Sequence, residues 1–302
     1  MEIFFALGVI AIVAFLGWLS RRLNILSKEN TRGMSSYIYY FALPALFFPK
    51  IAQMDLANLN GEIVLGSLLP IFSILIFLLF LKITRIISKH TFILLALATS
   101  FGSNAFFGIT FFETLAGADG LDFAILTSSI LGPVGIFITI YIFEYASSRG
   151  EGWCFCGKIM RNPLIISILL GVVVSLLKIE GGFIFQGIET LGKTAGPLAE
   201  FALGTFIYDN FSFEKLRHSY AFALFRLIAL PLVSFLIIST WLNVEGETGK
   251  FLILQGGIPS AISLGVFASR YNYKVDEISN LVVLTSLGSF VVLGIAYFLI
   301  NG

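Results

Sequence analysis

Along this chain long apolar runs alternate with short polar gaps. The runs cover residues 3 to 20, 33 to 53, 62 to 82, 91 to 116, 122 to 146, 163 to 178, 185 to 208, 219 to 241, 250 to 269 and 278 to 300. A bilayer core takes roughly 20 consecutive apolar residues per helix. The pattern therefore predicts an all-α integral membrane protein with ten transmembrane helices and almost nothing left for a soluble domain. The seventh run is only moderately apolar, entering through "KIEGGFIFQGIETLGKTAGP".

Composition agrees, with 57% hydrophobic and 12% charged residues where a soluble domain has about a quarter charged. The placement of charge says more than its net value. With the N-terminus outside, the inner gaps hold Arg21, Arg22, Lys28, Arg32, Lys82, Arg85, Lys89, Arg149, Lys158, Arg161, Lys215, Arg217, Arg270 and Lys274, which is 14 of the 19 basic residues. The outer side receives only Lys50, Lys178, Lys193 and Lys250. Basic residues are retained on the cytoplasmic side, so both termini are expected outside. The first run opens with Glu2 in place of a basic segment and has Arg21 and Arg22 on its far side, which reads as a retained helix and not a secretory signal. Cys154 and Cys156 in "WCFCG" have no histidine partner for a closed zinc site and read as reduced bystanders, so no metal is expected.

Two five-helix halves, residues 1–150 and 151–302, echo each other. Pro44 in "YFALPALFF" and Pro197 in "TAGPLAEFALG" lie 153 positions apart; Asn104 in "FGSNAFFG" and Ser260 in "QGGIPSAISLG" lie 156 apart; Thr127 in "LTSSILG" and Thr285 in "LTSLG" lie 158 apart. Because five is odd, the second half enters the membrane from the opposite side, which is the inverted-topology repeat of many secondary transporters. Helices four and nine carry helix breakers near mid-membrane, Gly102, Ser103 and Asn104 in one and Gly257, Pro259 and Ser260 in the other. Freed backbone groups cost several kcal/mol each in hydrocarbon, so such breaks persist only inside protein or against a wet cavity. Two breaks at one depth predict two unwound helices meeting, each exposing a positive helix N-terminus and a negative C-terminus. Asn104 adds both donors and an acceptor, and Ser103, Gln255, Ser260 and Ser263 add further hydrogen-bonding groups. The competing reading is that small residues at membrane helix interfaces serve close packing alone.

Arg226, in "AFALFRLIALPL", is the most buried-looking cation. At a helix centre it costs roughly 2.5 to 3.5 kcal/mol and calls for a partner or cavity. It either attracts a substrate carboxylate, substitutes for a coupling ion, or snorkels to the interface or pairs structurally. Glu200 is the acid placed to couple protons, whereas Glu113 falls near the outer end, and His90 and His218 fall at cytoplasmic helix ends. Thr127, Ser128, Ser129, Thr285 and Ser286 offer oxygen to sodium, but no acidic pair sits at either break, which favours proton coupling or uniport over a two-cation site.

The segments "LGWLSRRLNILSKEN", "YYFALPALFF", "GSNAFFGI", "GPLAEFALGTFI" and "GGIPSAISLGVFASRYN" resemble the auxin efflux carrier family of permeases, which includes bacterial malonate-transporter-like proteins. The resemblance covers essentially the whole chain and is specific for family, not for substrate. Plant members have an Asn-Pro-Asn-like crossover, where this chain has "GSNAFFG". The resemblance implies a fold like that of bile-acid sodium symporters. Helices one, two, six and seven would form a scaffold and three to five with eight to ten a transport domain, with helices four and nine crossing at their breaks. It also implies carriage of a small organic anion and leaves room for a homodimer through the scaffold helices.

No HExxH, no metal-spaced Cys/His cluster and no Ser-His-Asp set argues for an enzyme, and no cofactor or nucleic-acid partner is expected. The expectation is a permease of the cytoplasmic (inner) membrane that moves a small mono- or dicarboxylate by alternating access. Gly102, Ser103, Asn104, Gln255, Gly257, Pro259, Ser260 and Ser263 form its binding site. A channel, an uncoupled uniporter and a sodium symporter are the alternatives.

Overall fold

The computed structural model describes residues 2–54, 60–147, 163–179, 181–210 and 213–301. Those residues are helical almost throughout. In chain order the helices are α1 Glu2–Arg22, α2 Lys28–Tyr37, α3 Leu43–Ala52, α4 Gly61–Ile83, α5 Lys89–Ser100, α6 Ile109–Ser147, α7 Pro163–Leu176, α8 Gly182–Lys193, α9 Ala195–Asn210, α10 Phe213–Leu236, α11 Gly246–Gln255, α12 Ser263–Tyr271 and α13 Val275–Asn301. Three π-turns, Ile38–Ala42, Asn104–Gly108 and Ile237–Leu242, continue or precede them. The only strand-like pairing among the described residues is one antiparallel bridge, Gly102 to Ser260.

The departures from regular helix follow from the sequence. Pro44 has no N–H to offer the preceding turn, and the helix widens just before it, with the Leu43 N–H reaching back to the Ile38 carbonyl. The seventh apolar run, expected as one helix over 185 to 208, is two, since α8 ends at Lys193 and α9 starts after Thr194. Pro197 then sits in the first turn of α9, where its missing N–H is tolerated. The boundary expected between residues 116 and 122 is a sharp fold within α6, at Ala116 and Gly117, whose φ of 59° suits glycine. There Phe112 packs edge-on against Phe123, and a Cβ on Gly120 would collide with the Phe112 carbonyl oxygen at 1.9 Å.

One loop is built twice. Asn24 and Arg85 adopt left-handed conformations just past α1 and α4, and the next two N–H groups, at Ile25 and Leu26 or at Ile86 and Ile87, return to Ser20 or Leu81 respectively. Ser27 and Ser88 then cap α2 and α5. The hydroxyl of each accepts from the backbone N–H three residues on, satisfying a donor the helix leaves open.

Packing between helices is equally repetitive. A Cβ on Gly17 would come within 2.0 Å of the Phe201 carbonyl oxygen, so α1 lies directly on the backbone of α9. A Cβ on Gly171 would come within 3.0 Å of the Phe48 carbonyl oxygen, so α7 lies on α3. Gly17 and Gly171 are 154 residues apart and Phe48 and Phe201 are 153 apart; one contact appears twice with the halves exchanged. Small residues are what close approach requires in lipid, where apolar surface gains nothing by leaving an apolar solvent. The outward faces match that solvent: Phe77 and Phe80 on α4, Leu170 on α7, Phe235 on α10 and Phe298 on α13 are exposed. Four helical stretches, Gly61–Ile83, Phe111–Ala146, Ser219–Leu242 and Val275–Ile300, are long and apolar enough to cross a membrane.

Basic residues gather at one end of the bundle. Arg21 pairs with Asp209 at 2.5 Å, Lys82 donates to the Tyr145 hydroxyl, and His90 and Lys274 meet Glu277. Lys28, Arg32 and Arg270 line one cavity there of about 440 Å³.

Candidate functional site

α5 ends at Ser100 and α11 at Gln255, and the chain runs non-helically over residues 101–103 and 256–262 before helix resumes. These two interruptions pair with each other. The Ser103 N–H donates to the Pro259 carbonyl at 2.9 Å and the Ala261 N–H to the Phe101 carbonyl at 2.8 Å. Pairing answers the demand that backbone freed inside a bilayer find partners within the protein. The last carbonyls of α5 are completed from the other half of the chain, with Ser260 Oγ donating to Ala98 O at 3.0 Å and Arg226 Nη1 to Thr99 O at 2.7 Å. Arg226 Nη2 donates to Ile258 O at 2.8 Å, just past α11. Arg226 is 2% exposed, so it does not snorkel to an interface.

Charge is thus sorted across the paired interruptions. The negative ends of α5 and α11 converge on Arg226, while the positive ends of the resuming helices start at Asn104 and Ser263. Two small cavities follow that division. One, of about 20 Å³, is lined by Ser67, Asn104, Arg226, Ser234 and Gln255; the other, of about 10 Å³, by Ser103, Asn104, Ser263, Leu43 and Phe47. Each has room for about one water. A larger apolar cavity of about 120 Å³ lies between Ala11 and Ala14 of α1, Ser103, Pro259 and α13. The Ser103 hydroxyl is buried and has no hydrogen-bond partner, and it borders both the apolar cavity and the cavity at Ser263. From the basic vestibule, ring contacts run from Tyr39 to Phe267 at 5.5 Å and on to Phe101 at 6.3 Å, beside the first interruption.

The residues singled out in the sequence separate accordingly. Gly102, Ser103, Asn104, Pro259, Ser260 and Ser263 lie together at the crossing, and Asn104, 7% exposed, borders both small cavities. Gln255 faces the Arg226 side, where its carbonyl accepts from Ser67 Oγ at 3.1 Å. Gly257 is a packing position, its missing Cβ leaving space for Leu293. Thr285 joins the crossing by accepting from the Ser260 N–H at 3.3 Å. Thr127, Ser128 and Ser129 instead donate to carbonyls of their own helix, and Ser286 borders the apolar cavity. Glu200 is half-buried on α9 away from these cavities, Glu113 is exposed, and His90 stands 3.1 Å from Glu277. Pro44 and Pro197 each sit in the first turn of a helix, α3 and α9 respectively. Cys154 and Cys156 lie outside the described residues, as does the side chain of His218. Ser67 was not anticipated; its signal was a Gly-Ser pair in an apolar run, 159 positions before Arg226 and so near the repeat spacing.

Comparison with known proteins bears on what such a crossing serves. The family model described as "Membrane transport protein" matches residues 3–152 and 154–297. An uncharacterized transporter of Methanocaldococcus jannaschii is 23% identical over 95% of both chains. One of Methanothermobacter thermautotrophicus is 26% identical over 93% of both. A Rhizobium meliloti protein named "Putative malonate transporter" is 24% identical over 95% of this chain and 93% of its own. The family and these relatives are transporters, not enzymes. This chain is a multi-pass membrane protein belonging to the membrane transport protein family, that of the auxin efflux carriers and malonate-transporter-like permeases.

Proposed function

We propose that this protein is a secondary transporter that carries a small organic anion, a mono- or dicarboxylate, by alternating access. The observation that carries the reading is the pairing of the two interruptions through Ser103–Pro259 and Ala261–Phe101. That pairing brings two helix N-termini, Asn104 and the unpartnered Ser103 hydroxyl to one place. Backbone N–H groups and helix dipoles at such ends favour a carboxylate. The cavities at the crossing are small, which suits a carrier in a closed state better than a continuous pore.

The architecture that goes with it is ten crossings in two inverted halves of five. Helices one, two, six and seven form a scaffold, and the other six form a transport domain moving past it in the manner of an elevator. The exchanged Gly17–Phe201 and Gly171–Phe48 contacts support that symmetry. The basic vestibule supports a cytoplasmic end at Lys28, Arg32 and Arg270, with both termini outside and the inner membrane as location. A homodimer would form through the scaffold helices.

Malonate, after the name of the Rhizobium relative, is the first substrate to test. Uptake of radiolabelled malonate into proteoliposomes should saturate and show counterflow, and Asn104→Ala should reduce it to background while leaving a folded, inserted protein. Unsaturable flux with single-channel currents, or wild-type uptake by Asn104→Ala, would overturn the reading.

A further inference from the structure

We propose that Arg226 is the resident cation of the crossing: its guanidinium takes the place a mobile coupling ion would hold between the C-terminal ends of the two broken helices, and transport therefore needs no sodium. The inference rests on the carrier reading above. In broken-helix transporters the unwound carbonyls and helix C-termini are where a coupling cation is coordinated. Here the two terminal nitrogens of Arg226 reach one carbonyl in the last turn of α5, Thr99 O at 2.7 Å, and one in the second interruption, Ile258 O at 2.8 Å. No carboxylate pairs with Arg226 among the described residues. The buried charge is therefore balanced by carbonyl oxygens and helix ends alone, as a bound metal cation would be. A guanidinium keeps its charge at neutral pH, and being tethered it draws on no ion gradient.

The same geometry argues against Arg226 as the ligand of a substrate carboxylate. Both terminal nitrogens are engaged, and a Cβ on Gly102 would lie 3.1 Å from Nη2, so the first interruption packs directly on the guanidinium. Nε is buried without a partner, and the cavity that Arg226 lines has room for about one water. The groups suited to an anion, Ser103 and Ser263, border the other small cavity. Arg226 is thus a positioning residue that ties the two interruptions together.

The test uses full-length protein in proteoliposomes, with sodium or choline as the only added cation, and follows malonate uptake and the thermal unfolding temperature. Wild type should give equal values of both in the two salts. Arg226→Ala should lose roughly tenfold or more of the uptake, as removal of two charge-assisted hydrogen bonds implies. Millimolar guanidinium or sodium should restore part of that uptake and raise the unfolding temperature of the variant but not of wild type. Arg226→Lys, which keeps a tethered charge, should retain more activity than Arg226→Ala. Sodium-stimulated uptake or sodium stabilisation in wild type would overturn the proposal, as would full activity in Arg226→Ala, or a folded Arg226→Ala that neither cation rescues. If Arg226→Ala does not fold, the wild-type response to sodium and the activity of Arg226→Lys decide. A wild type inert toward malonate counts against the substrate reading instead, because the unfolding measurements need no substrate.

Discussion

The two interruptions pair with each other, yet the chain breaks and supports them with different residues. The first break is short, Phe101 to Ser103 with Gly102 at its centre, and is followed by a π-turn that opens on Asn104. The second is longer, Gly256 to Ile262, and contains Pro259. Their supports differ more. The second half contributes Arg226 and Thr285 to the crossing. The positions about one repeat earlier hold Ser67, which bonds only the Gln255 side chain, and Thr127, which bonds its own helix. Paired interruptions therefore do not imply paired chemistry. One half supplies the fixed charge and much of the backbone support, and the other supplies the amide and hydroxyl at the opposite face.

That asymmetry can be broken at equivalent pairs. The largest difference is expected between Arg226→Gln and Ser67→Ala. The first removes two charge-assisted bonds and should cost about 3 kcal/mol of stability with most of the uptake, the second about 1 kcal/mol with uptake nearly intact. Chemical unfolding and malonate uptake of the purified variants measure both. A smaller effect should separate Gly102→Ala from Gly257→Ala. A Cβ at Gly102 meets Asn104 Nδ2 at 3.0 Å and Arg226 Nη2 at 3.1 Å, whereas one at Gly257 meets Leu293 Cδ2 at 2.7 Å. Gly102→Ala should therefore depress uptake more than stability. Gly257→Ala should lower stability by about 1 to 3 kcal/mol through overpacking, with uptake largely kept. The smallest difference is between Thr285→Val, which removes an acceptor from the Ser260 N–H and should cost about 1 kcal/mol, and Thr127→Val, which should cost a few tenths. Equal effects within any pair would argue that the two supports are equivalent.

Much of this could be read from the residues. Gly102, Ser103 and Asn104 in one apolar run and Gly257, Pro259 and Ser260 in another located both interruptions, because breakers and small polar residues cluster there, whereas the single prolines Pro70, Pro133 and Pro231 stay within helices. Pairing of the interruptions through Phe101 and Pro259 carbonyls was not legible, since main-chain groups carry no residue signature. Arg226 was recognisable as an expensive residue, but sequence spacing could not say whether a carboxylate, a lipid interface or two helix ends satisfied it. The division of the seventh run at Thr194 was missed because polarity there is spread evenly and no strong breaker precedes Pro197. Gln255 reads from the sequence as one more hydrogen-bonding group at the second break; its side chain lies on the Arg226 side, where it accepts from Ser67 Oγ.

The account stands or falls on an anion binding beside the paired interruptions, and thiol protection measures this at the site itself. In protein with Cys154 and Cys156 replaced by serine and Ser103→Cys introduced, malonate should slow alkylation of the new thiol in a saturable way, and adding Asn104→Ala should abolish that protection. Alkylation at one rate with or without malonate, in protein that still transports it, would contradict the account.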